Sequence, residues 1–274
     1  MALGILIGLV VTAGLAYALF LGHKHQRRRR LQNLPFPDKW RKILEQNVSL
    51  YRRLPGPLRD RLHGLVHVFL AEKNFEGCGG LEITDEIRVT IAAQACILLL
   101  GMRAHLYHRL SSILVYPGEF FATRVKDNDR LIENDDPEPF LGESWHTGTV
   151  ILSWDHAVAG GAHPEDGINL VYHEFAHQLD PANGWTNGAP PLEGRASYAE
   201  WARVLEKEYR TLCRRVERGQ RTLLDEYATE DAAEFFAVAT EYFFERPRQL
   251  QSRHPRLYRQ LEKFYGQDPA SYGG

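Results

Sequence analysis

The stretch of this chain that most constrains its fold is Val171–Asp180, VYHEFAHQLD, in which a glutamate follows the first of two histidines spaced four residues apart. In an α-helix, with a predicted start at 164–166, His173 and His177 lie on one face, so both imidazole rings can reach a single ion. Glu174 projects about 100° away around the helix axis, near such an ion but not on it, where it could hold the ion's water. The pattern therefore predicts a metal-binding helix.

A catalytic zinc ion takes three protein ligands and leaves one position open for water, so the two histidines need a third partner. The sequence HExxHxxGxxH would supply that ligand nearby, but Asp180 and Asn183 occupy its glycine and third histidine positions. The segment 226–244 reads as a helix that is apolar nearly all round and is interrupted by Glu234 and Glu241. A buried carboxylate must be neutralised, paired or metal-bound, and the spacing does not decide which of the two reaches the ion.

An alternative interpretation of the first motif is a buried helix whose two histidines bond only to backbone groups or carboxylates. The chain contains a comparison, since His63 and His67 have the same spacing. That second pair lacks the following glutamate and has no predicted strand immediately before it, so we interpret it as structural. An apolar strand does precede the helix of His173 and His177, which favours metal binding there.

The hydrophobic periodicity of the rest of the chain predicts an α+β domain that is mainly helical and has a small sheet. Helical spacing recurs over 38–54 and 57–72, and an apolar core helix follows at 87–102. β-Branched and aromatic residues predict strands at 111–121 and 148–158. A chain of 274 residues, 44% hydrophobic and 25% charged, can bury such a core.

Charge and cysteine content argue against several classes of protein. The net charge is -2, and because residues 1–30 hold basic but no acidic side chains, the rest of the chain is acidic. An acidic surface is a poor match for nucleic acid. The three cysteines, Cys78, Cys96 and Cys213, are widely spaced and form no CxxC pair, which argues against a disulfide framework and fits a reducing compartment.

The N-terminal segment 1–22 contains no charged side chain, and as a helix it would span about 33 Å, enough for a hydrocarbon core of about 30 Å. The basic run HKHQRRRR (23–30) follows, and the positive-inside rule then places the remaining chain in the cytoplasm. These features predict a single-pass anchor at 1–22 in the inner (cytoplasmic) membrane, a basic juxtamembrane linker at 23–37 and a catalytic domain at 38–274. A signal peptide cleaved near the small residues at 16–18 is the alternative, but its charge order would be the reverse.

Three segments of the chain are similar to a known family: HEFAHQLD (173–180), YATEDAAEFFAVATEYFF (227–244) and PRLYRQLEKFYGQDP (255–269). Through them the chain, from about residue 35 onward, resembles the glucose-regulated metallopeptidases of the Mlc titration factor A family. The resemblance implies a zincin-like fold of the gluzincin type with one Zn²⁺ ion. In that family the glutamate of the Ala-Glu-x-Phe-Ala-Val segment completes the zinc site, which here is Glu234. Glu241 is then expected to support a ligand or to form an internal ion pair.

The expected chemistry is metal-assisted peptide hydrolysis, with Glu174 acting as general base on the metal's water. The catalytic domain of anthrax lethal factor is similar over a shorter stretch, which includes a tyrosine seven residues before the glutamate ligand. That tyrosine is Tyr227 in this chain. The similarity implies that Tyr227 donates a hydrogen bond to the tetrahedral oxyanion.

Two kinds of function follow from these expectations. The first is a zinc metallopeptidase, for example an aminopeptidase, that acts on a peptide or protein substrate. By fold analogy, strand 148–154 would offer an edge to which an extended peptide pairs. The alternative is a regulatory binding protein, because the type member of the family sequesters the transcriptional repressor Mlc. In that case a transcriptional regulator is the partner and peptidase activity is secondary.

Overall fold

The computed structural model describes most of the chain from residue 22 onward. The described residues are 12, 14, 19, 22–102, 107–118, 120–121, 139–140, 142–145, 148–180, 188–192 and 194–273. For 120–121, 139–140 and 142–145 the description is limited to the backbone. Within these residues the chain has a mainly helical α+β fold with a small sheet.

The helices and strands of the described residues are numbered in chain order. The α-helices are α1 (Asp38–Asn47), α2 (Ser49–Arg53), α3 (Gly56–Glu72), α4 (Asp85–Ile97), α5 (Trp154–Ala162), α6 (Leu170–Leu179), α7 (Arg195–Glu217), α8 (Ala232–Glu245), α9 (Pro247–Arg253) and α10 (Pro255–Tyr265). The strands are β1 (Asn74–Gly77), β2 (Ser112–Tyr116), β3 (Phe120–Phe121), β4 (Pro139–Phe140), β5 (Gly142–Trp145) and β6 (Thr149–Ser153). Short 3₁₀ helices lie at Glu226–Thr229 and Pro269–Ser271.

The predicted core helix at 87–102 is present as α4, but it ends at Ile97. Beyond that point the chain tightens, because the N–H groups of Leu99 and Met102 bond to carbonyls three residues back, at 3.0 Å each. The tight turn brings Gly101 against the C-terminal end of α10, where a Cβ atom would collide with the carbonyl oxygen of Tyr265. A longer helix would not allow this approach of the two backbones.

The main sheet has the strand order β1-β2-β6-β5, in which β1, β2 and β6 run parallel and β5 is antiparallel. Strand β6 is therefore hydrogen-bonded on both sides, and the prediction that strand 148–154 offers an edge is wrong. The edge strand beside it is β5. The predicted strand 148–158 is also too long, because the hydroxyl of Ser153 accepts from the N–H of His156 and starts helix α5.

The core is built around α4 and α8, whose side chains are buried on nearly every face. Helix α4 packs against α1, α3, α5 and α6, and α8 packs against α6, α7, α9 and α10. The largest buried side chains of α8 are Phe235, Phe236, Phe243 and Phe244. Each fully buried phenylalanine contributes roughly 1.5–3 kcal/mol to stability, so α8 forms a rigid support for the helix beside it, α6.

The N-terminal segment 1–22, predicted as a membrane anchor, lies outside the described residues at all but four positions. Wherever the structure describes the chain, it contains no helix that is both long and apolar enough to cross a membrane. The described helix that follows this segment, residues 22–32, is rich in basic side chains, whereas a membrane span needs about 20 mostly apolar residues. They pack on α3, where Arg28 forms a bidentate ion pair with Glu72 at 2.6 and 2.7 Å. The predicted transmembrane helix, and the inner-membrane location inferred from it, are therefore wrong.

Candidate metal centre

The helix of the two histidines, α6, is held in place by its apolar face. The buried side chains of that face are Val171, Tyr172, Phe175, Ala176 and Leu179. The opposite face presents His173 and His177, whose side chains retain exposures of 13% and 12%. Burial of one face thus orients both imidazole rings toward the same partly open space.

Helix α6 begins later than the predicted start at 164–166. Asn169 caps it, with its Oδ1 atom accepting a hydrogen bond from the N–H of Tyr172 at 2.9 Å. The backbone just before the cap turns sharply, since Gly167 has a φ of +85°, a left-handed conformation that favours glycine. A Cβ atom there would also lie 2.7 Å from the ring of Tyr242. This turn closes the connection between α5 and α6 against α8.

The third predicted ligand, Glu234, lies in the first turn of α8. The predicted helix over 226–244 is divided into a 3₁₀ turn at Glu226–Thr229 and α8 itself. Asp231 makes this break, because its Oδ1 atom accepts from the N–H groups of Ala233 and Glu234 at 2.7 and 2.9 Å. Since α8 packs against α6, the capped first turn brings Glu234 next to the two histidines.

His173, His177 and Glu234 converge, with one ligand atom from each lying within 4.8 Å of the others. The two Nε2 atoms of the histidines are 3.2 Å apart. Oε2 of Glu234 lies 3.0 Å from Nε2 of His173, and Oε1 lies 3.3 Å from Nε2 of His177. Two helices distant in sequence therefore direct three donor atoms at one point.

The spacing of these atoms fits a bound metal ion. A tetrahedral ion with bonds of about 2.0–2.1 Å separates its ligand atoms by about 3.3 Å, close to the separations observed. Oε2 of Glu234 is buried and has no hydrogen-bond partner within the described residues, although Nε2 of His173 is 3.0 Å away. These two atoms do not align on each other, which is the arrangement expected of groups aimed at a shared ion.

The same contacts set the protonation of the cluster. Burial lowers the pKa of His173, but its contacts with the carboxylates of Glu234 and Glu241 outweigh burial and raise that pKa well above its ordinary value. Burial raises the pKa of Glu234, but the contacts with His173 and His177 outweigh burial. The net effect lowers the pKa below its ordinary value, so the carboxylate stays ionised. A metal ion bound by the same atoms competes with the histidine proton, so metal binding would release it.

Glu241, the second glutamate of α8, lies behind His173. Its Oε1 atom is 2.8 Å from Nδ1 of His173, while its Oε2 atom accepts from the main-chain N–H of Asn169 at 2.6 Å. A carboxylate on Nδ1 favours the tautomer with the proton on that nitrogen, which leaves Nε2 free to bind a metal. Of the two carboxylates that spacing left open, Glu234 lies in the ligand cluster, whereas Glu241 meets His173 at Nδ1, on the far side of its ring.

Glu174 and Tyr227 lie beside the cluster. Glu174 follows His173 on α6 and is 4% exposed, a low value for a carboxylate. Tyr227 is 46% exposed, and its ring centroid lies 6.0 Å from that of His173. Partial burial, and then the charge of Glu234, raise the pKa of Tyr227 above its ordinary value, so its hydroxyl keeps its proton at neutral pH.

The second histidine pair is packed into an aromatic cluster, which agrees with its structural interpretation. His63 stacks on Phe36 with 3.9 Å between ring centroids, and its Nε2 atom is 2.9 Å from the hydroxyl of Tyr51. His67 meets the same Phe36 ring edge-on at 5.5 Å. In the part of the chain that the structure describes, His173, His177 and Glu234 form the only group of this kind with converging ligand atoms.

Comparison with known proteins identifies the family of this chain. A family profile described as glucose-regulated metallo-peptidase M90 matches residues 23–266. The chain belongs to this metallopeptidase family. An uncharacterized protein of Synechocystis sp. is 36% identical over 271 residues, which cover 97% of this chain and 96% of that protein. Mlc titration factor A of Yersinia pestis, like that of Yersinia pseudotuberculosis, is 30% identical over 234 residues, which cover 84% of this chain and 85% of the relative.

Family membership confirms the resemblance found in the three sequence motifs and implies a metal ion.

The motifs did not reveal the buried partners behind the site, Asn169, Gln94 and Glu245. Only Asn169 carried a usable signal, since an asparagine directly before an apolar helical run is a typical N-cap. Buried polar contacts between distant helices leave no local pattern, which is why the other two were not predicted.

Proposed function

We propose that this protein is a zinc-dependent peptidase in which His173, His177 and Glu234 hold one Zn²⁺ ion. The observation that carries the proposal is the convergence of the two Nε2 atoms, 3.2 Å apart, with the Glu234 carboxylate, whose Oε2 and Oε1 atoms lie 3.0 Å from His173 and 3.3 Å from His177. Two imidazole nitrogens and one carboxylate oxygen are a donor set typical of catalytic zinc, which keeps a fourth position for water. When bound, the ion would lower the pKa of that water to about 7 and polarise the substrate carbonyl.

Glu174 is the general base of this proposal. It stands on α6 about 100° around the helix axis from His173, beside the ligands but not among them. Its carboxylate would take the proton of the attacking water and later pass it to the leaving amine. Its position on α6 directly after His173 supports this role, because a general base must lie within reach of the water that it deprotonates.

Tyr227 is the proposed donor to the tetrahedral oxyanion. Its ring lies beside His173, it is not one of the converging ligands, and its raised pKa keeps the hydroxyl proton available for donation. Loss of a single oxyanion donor costs about 10²–10³-fold in kcat in other hydrolases.

Zinc content and hydrolysis by the purified protein test the proposal. Inductively coupled plasma analysis should give one zinc per chain, and Glu174→Gln should keep that zinc while losing about 10²–10⁴-fold in turnover. Aminoacyl nitroanilides and internally quenched peptides, assayed in parallel, distinguish aminopeptidase from endopeptidase activity. A Glu174→Gln variant with full turnover would show that the general-base assignment is wrong.

A second candidate function is regulatory binding, supported by the name of the relatives, Mlc titration factor A. In this case a transcriptional regulator would bind the protein, and hydrolysis would be secondary. Complementation of a deletion strain separates the two. Rescue by Glu174→Gln would favour binding, whereas failure of a normally folded Glu174→Gln protein to rescue would favour catalysis.

A further inference from the structure

A buried asparagine connects the metal centre to the core of the protein. Asn169, at the start of α6, is 1% exposed, yet all of its polar atoms have hydrogen-bond partners, including its main-chain carbonyl oxygen, which accepts from the N–H of His173 at 3.0 Å. Its main-chain N–H donates to Oε2 of Glu241 at 2.6 Å, and its Oδ1 atom accepts from the N–H of Tyr172 at 2.9 Å. Its Nδ2 atom donates to Oε1 of Gln94 at 2.9 Å and to Oε1 of Glu245 at 3.0 Å.

These contacts allow one orientation of the Asn169 amide. The two acceptors, Gln94 and Glu245, both face Nδ2, so Oδ1 must face the backbone of α6. The side-chain amide of Gln94, on α4, is itself oriented, because its Nε2 atom donates to the carbonyl of Ala157 on α5 at 2.9 Å. Asn169 thus joins α4, α6 and α8 at one point.

The three glutamates of α8 form a stripe on one face of the helix, since Glu234, Glu241 and Glu245 are separated by seven and four residues. From the first turn of α8 to its last, each of these glutamates meets a different partner. Glu234 reaches the ligand cluster, Glu241 reaches Nδ1 of His173, and Glu245 reaches Asn169. Burial raises the pKa of Glu245 well above its ordinary value.

We propose that Asn169 is a positioning residue of the metal centre. Its side-chain amide fixes the start of α6 against α4 and α8, and its main-chain N–H then holds Glu241 against Nδ1 of His173. The contact with Glu241 keeps the proton of His173 on Nδ1 and directs Nε2 to the metal. This inference rests on the proposed zinc site. It gives Asn169 a role in orienting His173 in addition to its role as the N-cap of α6.

The test compares two matched substitutions, Asn169→Ser and Asn47→Ser, in the full-length protein. Serine is also a good N-cap, so Asn169→Ser keeps the cap and removes only the donors to Gln94 and Glu245. Asn47 is also buried and also donates twice through Nδ2, to Glu86 at 3.0 Å and Thr90 at 3.1 Å, but it contacts no residue of the metal centre. Both variants therefore lose the same type of bonds.

Zinc affinity is measured by competition with a chromogenic chelator, and the Tm of the metal-free proteins by circular dichroism. Both substitutions should lower the Tm, but only Asn169→Ser should weaken zinc binding, by about tenfold, the lower end of the range for groups that orient a ligand. Glu245→Gln, which keeps an acceptor for Asn169, should bind zinc as the wild type does. If Asn169→Ser does not fold, Asn169→Asp provides a second variant that caps the helix but lacks the donors.

Wild-type zinc affinity in a folded Asn169 variant with a lowered Tm would overturn the positioning role and leave the zinc site standing. Weakened binding in Asn47→Ser to the same degree would also overturn it, because general destabilisation would then explain the effect. Absence of zinc binding in the wild-type protein would instead refute the proposed function itself. The failures of the two proposals are therefore distinguishable.

Discussion

Replacing Glu241 by glutamine should weaken zinc binding, because both carboxylate oxygens accept hydrogen bonds. Oε1 lies 2.8 Å from Nδ1 of His173, and Oε2 lies 2.6 Å from the main-chain nitrogen of Asn169. Glutamine offers one acceptor and one donor group, so it cannot keep both bonds. If its NH₂ group faces His173, the ring must carry its proton on Nε2, the nitrogen directed at the metal. If the NH₂ group faces Asn169, two donors meet in a buried site.

The expected loss follows from the bond that is removed. A hydrogen bond to a charged group contributes about 1.5–3 kcal/mol. At about 1.4 kcal/mol per factor of ten, Glu241→Gln should therefore weaken zinc binding about tenfold to hundredfold. Chelator competition at pH 7 measures the affinity, and Glu245→Gln is the control, because it changes an equally buried glutamate one turn along α8. Equal affinities of Glu241→Gln and the wild type would refute the argument that Glu241 orients His173.

Three further predictions follow from individual residues. Tyr227→Phe should lower kcat for peptide hydrolysis by about 10²–10³-fold at unchanged zinc content, and an unchanged kcat would exclude the hydroxyl from the reaction. Gly167→Ala should lower the Tm more than Gly219→Ala, because both glycines have positive φ but only at 167 would a Cβ atom collide with a neighbouring ring. The free energy of unfolding should fall as the pH falls from 6.5 to about 4, because burial lowers the pKa of His63 to about 4 and the unfolded chain takes up that proton first. Urea titrations should then show a weaker pH dependence for His63→Gln, and an identical dependence would refute this.

The helix that carries His173 and His177 was predictable because its signals are local. Helical geometry places His173 and His177 on one face whatever surrounds them, and the apolar residues between them indicate which face is buried. His63 and His67 were recognisable as a structural pair from local signals of the same kind. The predicted bounds of an element are wrong where a cap fixes its end or its start, as Ser153 does for β6 and Asn169 does for α6.

The order of the sheet was less accessible, because strand pairing depends on residues far apart in the chain. Strand β6 has the β-branched residues of a buried strand, and such composition does not reveal whether a neighbour covers its second side. The antiparallel pairing with β5 supplies that neighbour. Hydropathy and charge order at the N-terminus predict a transmembrane helix, whereas the described residues contain no helix that is long and apolar enough to span a membrane.

The sequence by itself determined the helix of His173, Glu174 and His177, the need for a third ligand, and the two carboxylates that could supply it. Tertiary structure decided where each of those carboxylates lies relative to the histidines. Packing of α8 on α6 brings Glu234 to the two Nε2 atoms, and seven residues further along it brings Glu241 to the opposite nitrogen of His173. Spacing puts both glutamates on one helical face, but which of them meets which side of an imidazole depends on where two distant helices cross.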